Sequence, residues 1–278
     1  MYEILKKYSY ILYLQNRLLK FIDNHFFKPT LVFKNSPKDY HSNIDKNKYK
    51  EIIAQYLNID AGDVDKKREE LYNDIKTNIH LSPQESEDFY TNSNIKNWLL
   101  INYQCQLSYP KVFNYIMNYY EGQTISYCDY GCGSALQVFC LKEADNLSFS
   151  RIDLYDLKNE VSDFVEQQIE NNYKNENIRH YDVTKSDKLE NKYDLITCLD
   201  VLEHIVNPSE TLYKLTDSLN DEGLLILTAP WEIDSATHLA EAADDFYNNG
   251  GYKFLKKNYK KLSHFNKELH INGVYRKR

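Results

Sequence analysis

Four aspartates, Asp129, Asp156, Asp182 and Asp200, each stand at the end of a short apolar run. Glu203 and His204 follow the last of them, and His238 lies further on. Carboxylates gathered in one place can hold a ligand that carries a cation and hydroxyl groups. An imidazole, with a pKa near neutrality, can take a proton from a hydroxyl or an amine. Between Asp129 and a run with helical spacing lies Gly131-Cys132-Gly133. Glycines at a strand-to-helix turn allow positive φ and let a ligand approach main-chain N–H groups. Two details argue against a pyrophosphate there. Asp129 puts negative charge before the turn, and the third glycine of the dinucleotide fingerprint would fall at Leu136. A cationic, amino-acid-like ligand fits better.

Alternating strands and helices must carry these groups. Residues 124–128 are β-branched and aromatic, with Gly122 before them, and read as a buried strand. Residues 149–156, 178–182, 193–199 and 224–228 read as four more. A helix with Val161, Phe164, Val165 and Ile169 on one face follows the second strand. Another follows the fourth, capped by Asn207-Pro208-Ser209-Glu210, with Leu212, Leu215 and Leu219 facing inward. Asp221-Glu222-Gly223 reads as a turn. Such alternation implies a parallel sheet with helices on both faces. In such sheets ligands bind outside the carboxyl ends of the strands, where the four aspartates fall. Asp156 lies about twenty residues past the glycines, the spacing at which an acid reaches ribose hydroxyls.

Asp129-x-Gly131-x-Gly133-Ser134 resembles the first motif of the class I S-adenosylmethionine (SAM) dependent methyltransferases, and the resemblance runs on to about Pro230. The family often has another glycine where this chain has Ser134 and Ala135. The resemblance implies a Rossmann-like α/β methyltransferase sheet and SAM as cofactor. It implies that Asp156, with Leu157, takes the ribose hydroxyls and that Asp182, with Val183, takes the adenine amino group. The turn Gly131, Cys132, Gly133 would take the methionine end, oriented by Asp129, with Asp200 completing the cofactor set. Asp200-Val201-Leu202-Glu203-His204 resembles the segment after the fourth strand in small-molecule methyltransferases, which puts it beside the reactive methyl. His204 or His238 would then act as base, with Glu203 orienting His204. Acid-x-x-Glu-His is also the metal-binding pattern of some relatives. Asp200, Glu203, His204 and His238 therefore leave a divalent ion as the alternative to the metal-free reading, which is preferred.

Residues 1–120 show helical periodicity, from the stripe Ile4 to Ile22 to Val112-Phe113 and Ile116-Met117, with polar residues 35–48 between. Helical spacing also marks residues 49–57, 64–79 and 95–107. Ser82-Pro83-Gln84-Glu85 carries a capping-box pattern. The segment reads as a helical cap that shapes the substrate pocket, and residues 121–278 as the SAM-binding domain. A net charge of −7 argues against nucleic acid covering the whole surface, though not against a local face. No run is apolar enough for a signal sequence or a membrane span, so no membrane partner is expected. Five cysteines without a CxxC pair point to free thiols in a reducing cytoplasm. In the tail, Lys253, Lys256, Lys257, Lys260 and Lys261 form a basic run, Gly250-Gly251 interrupts a helix, and residues 269–275 read as a hairpin or final strand. The run reads as a solvated helix face; an acidic or phosphorylated substrate is the functional alternative. The chain is thus expected to transfer methyl to O or N of a small molecule. An RNA or protein methyltransferase, or a SAM-binding protein without catalysis, is the alternative.

Overall fold

A computed structural model describes residues 38–76, 82–92, 99–103, 109–185, 188–231, 237–266 and 271–278. The predicted helices 4–22 and most of 95–107, with Cys105, lie outside the described residues; residues 99–103 are helical. Among the described residues, the helices α1 (Lys46–Leu57), α2 (Val64–Lys76), α3 (Pro83–Asn92) and α4 (Pro110–Tyr119) precede the sheet, besides the helical residues 99–103. The sheet and its crossovers follow as β1 (Thr124–Tyr130), α5 (Leu136–Lys142), β2 (Ser148–Asp156), α6 (Glu160–Asn172), β3 (Ile178–Asp182) and β4 (Tyr193–Leu199). They continue with α7 (Pro208–Asp217), β5 (Leu219–Ala229), α8 (Ala240–Asn248), α9 (Gly251–Asn258), β6 (Tyr259–Ser263) and β7 (Ile271–Lys277).

The strands lie in the order β3-β2-β1-β4-β5-β7-β6. The first five are parallel, and β7 runs antiparallel to both β5 and β6. Both faces of the sheet are covered, which is why its strands are nearly continuous apolar runs rather than alternating ones. Along β4, Leu195 joins Ile53, Ile116, Phe139 and Phe164 on one side, under α1, α4, α5 and α6. Ile196 and Cys198 join Leu212, Leu215, Phe246 and Leu255 on the other, under α7, α8 and α9. The α/β class with helices on both faces holds. Among the described residues no helix is long and apolar enough to cross a membrane.

Local details depart from the sequence reading in three places. Leu219 is not helical; it begins β5, and residues 220–223 form a bulge where β4 advances from Tyr193 to Leu195 while β5 advances from Leu219 to Leu224. A bulge can use the turn-forming Asp-Glu-Gly without ending the strand. Asn207 makes no side-chain cap on α7. Instead Ser209 N donates to Asp245 Oδ2 of α8 at 2.9 Å, so the acid that serves this helix end comes from a neighbouring helix. The basic run is divided: Lys253, Lys256 and Lys257 ride on α9, and Lys260 and Lys261 on the edge strand β6. The capping box at α3 forms as expected, with Ser82 N and Oγ donating to Glu85 Oε2 at 2.8 and 2.7 Å.

Candidate active site

At the carboxyl end of β1 the chain turns through Gly131 (φ 73°), Gly133 (φ 51°) and Ala135 (φ 53°). A Cβ on Gly131 would stand 2.2 Å from Val201 Cγ2, so this position needs glycine for space as well as for its backbone. The loop after β4 thus presses directly on the turn. Ala135 occupies a left-handed position that glycine would adopt at lower cost.

The turn is held from β2. Gly131 N donates to the Tyr155 carbonyl at 2.7 Å, Gly133 N donates to Asp156 Oδ2 at 2.6 Å, and Leu157 N donates to Asp156 Oδ1 at 2.7 Å. Burial pushes the Asp156 carboxyl up, against the pull of those two N–H donors. Asp129 has Thr197 as its register partner across the sheet, and the Thr197 hydroxyl donates to Asp129 Oδ1. Burial pushes Asp129 up to about 7; the Thr197 hydroxyl opposes the rise and the Asp156 charge adds to it. Asp182 pairs in register with Asp156 at the edge and accepts from Thr184 N and Oγ1 at 3.0 and 2.6 Å. Burial acts to raise it, but the Thr184 donors and Lys185 outweigh that and leave it below its ordinary value. Val183 N donates to the Asp156 carbonyl at 3.0 Å, which ties the two strand ends together.

Beyond β4, Asp200 takes the left-handed conformation (φ 54°) and Leu202–His204 forms a single 3-10 turn. Asp200 is therefore not on a common helix face with Glu203 and His204. Its Oδ1 accepts from Thr228 Oγ1 at 2.6 Å, and its Oδ2 accepts from the Tyr109 hydroxyl. Glu203 is fully buried. His204 Nδ1 lies 2.8 Å from the Thr237 carbonyl, which can only accept, so Nδ1 bears the proton and Nε2 the lone pair. The Tyr90 hydroxyl, 3.0 Å from Nδ1, shares that proton. Nε2 stands 3.7 Å from Glu203 Oε1, and the His238 ring centre is 5.1 Å from that of His204. Burial, with His238 next in weight, drives the His204 pKa down to about 3, so its ring is neutral at pH 7.

The structure thus brings the residues singled out in the sequence to one end of the sheet but groups them differently. Glu203, His204 and His238 converge, with one ligand atom from each within 4.8 Å of the others, and Asp200 turns away to Thr228 and Tyr109. Four contributors were missed: Thr197, Thr237, Tyr90 and Tyr109. Thr197 could be found only from the β1–β4 register. The two tyrosines come from the N-terminal helical segment, and nothing in their local sequence marks them. Tyr90 also accepts through its carbonyl from Asn159 Nδ2 at 3.0 Å, at the N-terminus of α6, so α3 touches both the β2 and β4 loops.

A family profile described as a methyltransferase domain matches residues 101–268. The chain belongs to this methyltransferase family. The class I resemblance and the enzymatic assignment read from the sequence are borne out by that match. No curated protein matches the chain. Among solved structures, a SAM dependent methyltransferase from Aquifex aeolicus is 13% identical, with 70% of this chain and 97% of that one covered and a TM-score of 0.44. A putative type 11 methyltransferase from Sulfolobus solfataricus is 16% identical, with 59% and 90% covered and a TM-score of 0.43. StiE O-MT is 23% identical at a TM-score of 0.32, and the match spans 37% of each chain.

Proposed function

We propose that the chain transfers a methyl group from SAM to an O or N atom of a small-molecule acceptor. The observation that carries this reading is the glycine turn fastened to Asp156, with Asp129 beneath it and Asp182 in register beside it. Asp156 would take the ribose hydroxyls, Asp182 the adenine amino group and Asp129, once ionised, the ammonium group. The cradle fits: the turn is kept free of a side chain at Gly131, and four carboxylates end neighbouring strands. SAM, when bound, supplies an activated methyl on a sulfonium, so positioning and water exclusion are the protein's main work.

On the acceptor side, Glu203, His204 and His238 stand beside the β4 end, with Tyr90 over them. A ring that protonates only near pH 3 is a poor proton acceptor at neutral pH. The reading therefore favours His238 as the base and His204 as its neutral neighbour. The lysines behind the alternative of an acidic acceptor lie on α9 and the edge strand β6, and none of them joins Glu203, His204 and His238. We place the N-terminal helices over the acceptor side as its cap, on the contacts of Tyr90 and Tyr109. A reducing cytoplasm is supported by Cys128, Cys140 and Cys198, which are buried thiols.

A second reading is favoured by the convergence of Glu203, His204 and His238. A neutral histidine whose other ring nitrogen donates to a carbonyl is the usual arrangement of a metal-ligating imidazole. Carboxylate and imidazole together would suit Mn²⁺, Fe²⁺ or Zn²⁺, and an ion there would lower the pKa of an acceptor hydroxyl. Incubation with methyl-labelled SAM and panels of hydroxyl and amine acceptors, followed by mass spectrometry, tests the function. Labelled product that is lost in His238→Ala supports it. SAM binding without product in any panel would favour a non-catalytic role. Product formation that stops with chelator and returns with added metal would select the second reading.

A further inference from the structure

The charge of this protein is unevenly placed. Residues 251–278 hold nine Lys and Arg against one acid, Glu268, a net +8 that leaves −15 for residues 1–250. Lys253, Lys257, Lys260 and Arg278 are exposed, and Lys256, Lys261, Arg276 and Lys277 are half-buried. Among the described residues, Lys253, Lys257 and Lys260 enter no ion pair. Strand register shows where these cations stand. Lys260 lies opposite Arg276, and Arg276 lies opposite Leu224, while Ala229 at the carboxyl end of β5 faces Ile271. At about 3.3 Å per residue, Lys260 and Arg276 are roughly 17 Å along the sheet from the cleft. Lys277 Nζ reaches the Leu219 carbonyl at 2.8 Å and Arg278 Nε the Tyr259 carbonyl at 3.0 Å, at the end where β5 begins. This is a surface separate from the acceptor site.

Lysines on an edge strand discourage unwanted strand pairing, which accounts for Lys260 and Lys261. That reason does not reach Lys253 and Lys257 on α9, or Arg276 and Arg278. Protein interfaces are depleted in lysine and enriched in exposed aromatics and arginine, whereas phosphate backbones are met by Lys and Arg with no need of local carboxylates. One exposed aromatic does border the strip. Tyr213 of α7 is 36% exposed, and its ring meets Phe254 of α9 edge-on at 4.7 Å. Phe254 lies between Lys253 and Lys257 in sequence, and Lys257 is one helical turn on. Lysines beside an accessible aromatic face are the means by which single strands are held without sequence preference. We propose that α9, β6 and the end of β7 bind single-stranded nucleic acid, with the lysines on phosphates and Tyr213 stacked on a base.

The test is fluorescence anisotropy of the full chain with a labelled single-stranded RNA of about 12 nucleotides, across a salt series. Affinity should fall linearly with salt on logarithmic axes, and Lys257→Gln and Lys260→Gln should each reduce the slope by about 1. Tyr213→Ala should weaken binding at every salt concentration with the slope unchanged. Circular dichroism and SAM titration of each variant should match the parent, which separates loss of the surface from loss of the fold. No binding at low salt, binding indifferent to all three substitutions, or displacement of the RNA by polyglutamate as readily as by unlabelled RNA would each overturn the proposal. So would binding to phosphatidylserine vesicles that the RNA fails to compete.

Discussion

Replacing Asp129 by asparagine should reverse its effect on stability between acid and alkaline pH. The carboxyl is 5% exposed and titrates near 7 rather than at its ordinary 3.8. The native state therefore holds more protons than the unfolded chain between those two values, and stability falls as pH rises through the window. At 1.36 kcal/mol per pKa unit the ionised group costs about 4 kcal/mol above pH 7. Asparagine removes that cost and keeps an oxygen for the Thr197 hydroxyl. Its amide N–H₂ gains no ready acceptor, which costs about 1–3 kcal/mol. Urea unfolding should thus find Asp129→Asn more stable than the parent by roughly 1–3 kcal/mol at pH 8 and less stable at pH 4. A difference that stays constant from pH 4 to 8 would refute the reasoning. The same ionisation predicts that SAM binding weakens as pH falls below about 7, approaching tenfold per unit, because an ammonium group needs the charged carboxylate.

His204 is depressed to about 3, so the unfolded state binds the extra proton below pH 6.5 and stability should drop as pH falls from there; His204→Asn should flatten that part of a melting-temperature profile. Ala135→Gly should stabilise the chain by about 0.5–1 kcal/mol in urea unfolding, since relief of the left-handed strain exceeds the entropy that glycine adds. Gly131→Ala should lose SAM binding and several kcal/mol of stability through the clash with Val201, a loss that a second change, Val201→Ala, should partly restore in both assays. Thermal melts with and without Mn²⁺ or Zn²⁺ should show a metal-dependent rise that Glu203→Gln abolishes if the second reading holds, and no rise if His238 works alone.

The sheet was legible because its parallel strands are buried on both faces. Runs such as Leu224-Leu225-Ile226-Leu227 fit little else, and a carboxylate at the end of each of the first four strands marked one side as the ligand side. Strand β6 was not legible: Tyr259-Lys260-Lys261-Leu262-Ser263 continues the lysine pattern of α9 without a break, and it becomes a strand only by pairing with β7. The glycine turn and Asp156 could be read from spacing alone. The partner of Asp129 could not, because Thr197 reaches it through register across 68 residues. Asp200 was grouped with Glu203 and His204 by the acid-x-x-Glu-His pattern, and its left-handed backbone turned it to Thr228 instead. Tyr90 lies on α3 and Tyr109 just before α4, and contacts made from so distant a segment leave no local pattern in a chain with 25 tyrosines.

Calorimetric titration with SAM and with NAD, on the parent chain and on Asp156→Ala, tests the central claim most directly. Loss of charge-assisted hydrogen bonds at Asp156 should weaken SAM binding by about 1.5–3 kcal/mol, and NAD should not bind to either protein. SAM affinity that is the same in Asp156→Ala, or heat evolved with NAD instead of SAM, would contradict the account.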